Sequence, residues 1–225
     1  VYHWHAPSLD PMGNRASDAR VKYYGIEGAP SFVINGSRFD DQGNGDARTR
    51  KEAEGKSSLV YSTLTHAFAN AGKAGQSFDV AINRKADKVT IHAGRFASKG
   101  ILQIALVEEE ISYSGENGLR FHPMVVRAMA GDGKGLPVSS ESEAEYSFDI
   151  KAIESANLDY YTEWPRERNK EVNARIGPGA DFDVGSFKEH RNLIDRNSLY
   201  VIAFVQDPET KKILAARQIK VVREK

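Results

Sequence analysis

The sequence predicts an α+β protein: an α/β module over residues 1–75, followed by an antiparallel β-sandwich of immunoglobulin-like or jelly-roll-like type over 76–225. Three observations carry this. The first 75 residues mix short apolar runs with helical periodicity. From Ser77 onward, short alternating apolar segments recur between turn signals. Gly72-Lys73-Ala74-Gly75 separates the two patterns.

Taken in order, Val1–Ala6 reads as a strand, and Pro7, Pro11 and Gly13 break it into a loop. A chain opening inside a strand raises the expectation of a segment upstream. Ala16–Tyr24 is a short helix, with Asn14 or Ser17 as cap and Gly25 as stop. Ser31–Ile34 is a strand, and Asn35-Gly36 a tight turn favouring positive φ. Residues 47–71 form a helix whose Leu59, Val60, Leu64, Ala67, Phe68 and Ala71 share a stripe. The second half then supplies about seven strands: Ser77–Ile82, Val89–His92, Ile101–Ile111, Phe121–Met129, Glu145–Ile150, Leu199–Gln206 and Ile213–Val222. Asp207–Thr210 turns the last two into a hairpin. Residues 151–198 show little periodicity and read as a long loop excursion, of a kind uncommon without a function.

Composition narrows the function. The 31 basic and 31 acidic residues cancel, which argues against a nucleic-acid partner. No apolar run reaches membrane-span length. With no cysteine, thiolate chemistry and disulfides are excluded within these residues.

Two stretches carry a family resemblance. Tyr23-Tyr24-Gly25-Ile26-Glu27-Gly28-Ala29-Pro30-Ser31-Phe32-Val33-Ile34-Asn35-Gly36 resembles the back half of a thioredoxin-like domain, where a helix leads to a cis-proline loop and a strand. Ile104–Glu109, Tyr113–Gly118 and His122–Met129 are similar to the second domain of the twenty-eight-kilodalton outer-membrane-protein family, exported proteins joining a thioredoxin-like domain to a β-sandwich. The resemblance implies a partial thioredoxin-like module, a cis peptide at Ala29-Pro30, and an extracytoplasmic location in the periplasm or at the outer membrane. With no cysteine beside that proline loop, the expected function is a non-catalytic binding or accessory protein, a subunit held to other protein subunits of an extracytoplasmic or membrane-associated assembly. One alternative is a thiol–disulfide oxidoreductase whose Cys-x-x-Cys lies upstream of Val1. Another is a periplasmic metal- or haem-associated protein.

Several clusters carry residue types suited to chemistry. His3 and His5 share one face of a strand, the geometry of a zinc or copper pair, with Asp10 and His66 as further donors. The competing reading is two hydrogen-bonded histidines beside Trp4, with no cofactor. Asp40–Asp46 imitates the start of a calcium loop, but Lys51 stands where a bidentate Glu belongs. It reads better as a solvated loop with Asp46 as helix cap. Glu108–Glu110 read as a solvated strand edge. Tyr160, Tyr161 and Trp164, with Arg166 and Arg168, are residue types enriched at interfaces, and are expected to bind a partner from the 151–198 loop. The competing reading has the rings pinning that loop to the sandwich.

Overall fold

The computed structural model describes residues 1–3, 5, 9–28, 31–39, 50–71, 78–115 and 118–222. Helix α1 (Arg15–Tyr24) starts where Asn14 accepts the Ser17 N–H. It stops at Gly25, which adopts a left-handed φ of 65°. Gly25 and Ile26 then donate back to the Lys22 and Val21 carbonyls, a glycine-terminated cap. Strands β1 (Phe32–Ile34) and β2 (Ser37–Phe39) form a hairpin through Asn35 and Gly36, both at positive φ. Helix α2 (Arg50–Ala71) follows and packs against β1.

Strands β3 (Asp79–Lys85) and β4 (Lys88–Gly94) form a hairpin, and β8 (Ala144–Asp149) pairs on its far side, giving a three-stranded sheet in the order β3-β4-β8. The larger sheet runs β10-β9-β5-β6. Its members are β5 (Gly100–Ser112), β6 (Phe121–Met129), β9 (Leu199–Gln206) and β10 (Ile213–Lys220). The short β7 (Leu136–Val138) pairs with the first residues of β5, and β6 with the rest. All pairings are antiparallel. The architecture is therefore α+β, with two of its three sheets stacked as a sandwich.

Burial explains the strand patterns. Val89, Ile91 and Phe148 of the small sheet pack against Leu102, Ile104, Leu106, Val201 and Val205 of the large one. The other face of the large sheet is covered too, with Ala105, Val107, Val126 and Met129 packed beneath Ala16 of α1. That is why β5 reads as an unbroken apolar run rather than an alternation.

Two expectations are corrected. Residues 1–3 and 5 lie outside any strand, although Val1 accepts the Val126 N–H at 3.0 Å. The 151–198 segment begins as a long helix, α3 (Ile150–Ile176), and only 177–198 is irregular. Asp149 caps α3 by accepting the Ala152 N–H. Its inner face is Ile150, Glu154, Asn157, Tyr161, Pro165 and Val172, a stripe of helical spacing hidden by its polar members and its proline. The Ala29-Pro30 loop and the Asp40–Asp46 segment lie outside the described residues.

Candidate functional site

A cluster of titratable side chains forms where the N-terminal segment meets α1 and α3. The Asp10 N–H donates to His5 Nδ1 at 2.9 Å, so the proton of neutral His5 sits on Nε2. That Nε2–H donates to the Tyr160 hydroxyl at 2.9 Å, and Tyr160 donates in turn to Asp18 at 2.6 Å. The His5 ring is enclosed by Tyr160, Trp164 and Phe187, with the Trp164 centroid 4.3 Å away. His3 Nδ1 meets Asp10 Oδ2 at 2.7 Å, and the other Asp10 oxygen accepts the Met12 N–H. The buried His3 ring stands edge-on to His122, itself bonded to the Tyr113 carbonyl. Among the described residues, His3 Nε2 is buried without a partner.

Burial sets the electrostatics. It drives His5 down from 6.5 to about 4, outweighing the charge of Asp10. It raises Asp18, against hydrogen bonds from Tyr160 and Trp164. Burial and then the Asp18 charge push the Tyr160 phenol far above its usual range. At Asp10 burial acts upward, but the His3 hydrogen bond and charge prevail and hold the carboxyl low. At neutral pH the relay thus contains a neutral imidazole and a protonated phenol. Its hydrogen bonds close on one another. A cleft of about 720 Å³ lies at the β3–β4 end of the small sheet, and one of about 360 Å³ beneath the start of α3. None of His3, His5, Asp18 or Tyr160 lines either.

A second buried network ties down the return from α3. Arg127, 2% exposed, donates to the carbonyls of Arg191 and Leu193 and stands 3.4 Å from Glu108. Glu108 accepts the Asp195 N–H. Burial raises Glu108 even against Arg127, so the expected solvated strand edge is instead a buried ion pair at its first position. Glu154 holds the Ile194 N–H and the Arg196 guanidinium, which also reaches Asp87. At the α1 junction, Arg20 is 1% exposed. It donates to Tyr24 at 2.7 Å and Gln206 at 2.8 Å, against the rings of Tyr23 and Tyr24.

The expected site residues separate. His3 and His5 enter the same cluster, but both His5 nitrogens are bonded within the protein. Among the described residues no group of three or more His, Asp or Glu is placed to hold a metal. His66 is exposed on α2. Tyr160 and Tyr161, expected as surface rings, are buried with Phe187. The Tyr161 hydroxyl donates to the Pro11 carbonyl at 2.5 Å and accepts the Arg191 N–H, so both rings pin α3 to its surroundings. Trp164 is half-buried, Arg166 is exposed, and Arg168 pairs with Glu171. Sequence reasoning missed Asp18, Arg20, Arg127 and Phe187, and placed Glu108 on a solvated edge. Each meets partners from distant elements, and no local spacing signals that.

The fold and its networks define an α+β protein whose sandwich is braced by one long helix. No protein-family profile matches the sequence, and no curated protein does. Two solved structures are similar to it. One is a domain of the outer membrane lipoprotein Omp28 from Porphyromonas gingivalis, at 12% identity and a TM-score of 0.38, covering 68% of this chain and 93% of that one. The other is a structural-genomics target from Agrobacterium tumefaciens, at 12% identity and a TM-score of 0.43, covering 100% of this chain and 80% of that one.

Proposed function

We propose that this chain is a non-catalytic extracytoplasmic binding or accessory protein, a subunit held to a larger assembly. In this reading residues 1–75 are a partial thioredoxin-like module and 76–225 the sandwich. One observation carries it. The side chains best suited to acid–base chemistry, His5, Tyr160 and Asp18, are bonded to one another and held in protonation states that favour bracing over proton transfer. Exposed large apolar side chains, Leu59, Tyr61 and Phe68, instead stand on α2. Trp164, Arg166 and Arg168 lie along α3 as further contact residues. The family resemblance of the sequence is the support for an extracytoplasmic setting. Among the described residues no helix is long and apolar enough to cross a membrane. The test is native mass spectrometry of the natural protein after mild detergent extraction. Co-migration with other chains at fixed stoichiometry is expected, and a lone chain in every extract overturns the reading.

A second reading rests on the unbonded His3 Nε2, which leaves that histidine a free ligand atom for zinc or copper. His5 would have to release Tyr160 or Asp10 to join it. Calorimetry with each metal tests this: micromolar binding that disappears in a His3→Ala/His5→Ala variant supports a metal site.

A further inference from the structure

The two sheets of the sandwich part between the edge strands β6 and β8, and a cleft of about 360 Å³ opens there. That volume is in the range of small-molecule sites. The first turns of α3 roof it and the start of α1 closes one end. The space exists because four lining positions are alanine: Ala16, Ala128, Ala152 and Ala156. Phe148 and Met129, both 3% exposed, add apolar surface.

One lining group is oriented and incomplete. Asn157 is 8% exposed, and its Nδ2 donates to the Arg127 carbonyl at 3.2 Å. The amide is thereby fixed, and its Oδ1 has no hydrogen-bond partner among the described residues. The charges around the cleft are balanced and mostly engaged. Arg15 pairs with Glu163 and Glu167, Arg127 stands beside Glu108, and Asp149 accepts from the backbone of α3. Asp132 stands exposed at the rim. Two cationic and two acidic side chains line the cleft, so neither sign of ligand charge is selected.

We propose that this cleft binds a small neutral molecule with an apolar body and one hydrogen-bond-donating group. The body fills the space left by the alanines and the donor completes Asn157 Oδ1.

The test uses the full chain and four probes with one shared ring: benzyl alcohol, toluene, benzylammonium and benzoate. Methyl NMR follows Ala128, Met129 and Ala156. Benzyl alcohol is expected to give saturable shifts there, with an affinity about fivefold or more above the other three, the factor set by one hydrogen bond. Ala156→Leu should weaken it about tenfold or more by filling the cleft. Ala156 is exposed and helical, and Leu is a strong helix former. Ala152→Leu, in the same roof, serves as second variant. The proposal is overturned if benzyl alcohol does not saturate, if benzoate or toluene binds as tightly, or if both folded variants bind benzyl alcohol as the unmodified chain does.

Discussion

Replacing Tyr160 by Phe removes one oxygen atom and keeps the ring, so it tests the relay apart from the packing. That oxygen donates to Asp18 at 2.6 Å and accepts from His5 at 2.9 Å. Its loss leaves the His5 Nε2–H facing rings and removes a donor from a buried carboxylate. A stranded buried polar group costs about 1–3 kcal/mol, more when it is charged. For the two together the expected loss is about 2–4 kcal/mol. The assay is urea unfolding at pH 7, with Tyr61→Phe on exposed α2 as control, expected within about 0.5 kcal/mol of the parent. Heating is a second readout, at about 2–4 °C of Tm per kcal/mol in a chain of this size. Combining Tyr160→Phe with Asp18→Asn should give a coupling energy of about 1–3 kcal/mol. A loss below about 0.5 kcal/mol, or strict additivity, would show that the relay does not brace the fold.

His5 gives the pH signature. Its folded value is depressed from 6.5 to about 4, so its contribution is complete above pH 6.5 and is lost as pH falls toward 4. At 1.36 kcal/mol per pH unit the loss is at most about 3 kcal/mol, and a His5→Gln variant should flatten the slope. Asp18, raised, works in the opposite sense, its contribution lost as pH climbs past the ordinary carboxylate value. Gly36→Ala should loosen the β1–β2 hairpin from the sandwich, since a Cβ there would lie 1.7 Å from the Lys211 carbonyl oxygen at a φ of +85°. Faster amide exchange at Ile213, which donates to Asn35, is the readout, and unchanged protection would refute it. Arg127→Ala strands Glu108 and should cost about 3–5 kcal/mol. A paired Arg127→Met/Glu108→Leu variant should recover most of that, as read by urea midpoints.

Local signals in the sequence were strong where structure is locally determined. Asn14 and Gly25 bound α1, Asn35-Gly36 turns the first hairpin, and the alternations of β3 and β4 lie where the apolar pattern puts them. The failure at 151–198 has a specific cause. The buried face of α3 includes Glu154, Asn157 and Pro165, and the two polar residues are acceptable there only because tertiary partners receive them. Glu154 is met by Arg196, and Asn157 by the Arg127 carbonyl. The same cause hid the candidate site. His3 and His5 stood out by spacing and Tyr160 as an interface ring, but Asp18 joins from α1 and Tyr160 from α3, and no local spacing shows that they meet.

Strand β5 sits at the centre of the large sheet, and its partner along Ile101–Glu108 is β9, near the far end of the chain. This order has a kinetic consequence. While the chain is being made, β5 can pair early with β6 and β7, but its other edge waits for Leu199–Gln206. During that interval an apolar strand with unpaired backbone groups is open to a second chain. A product truncated within α3 would keep that edge indefinitely and would be expected to aggregate rather than persist as a soluble fragment. Closing the loop that spans β6 to α3 adds an entropic cost to pairing β5 with β9, so slow folding is the expected outcome.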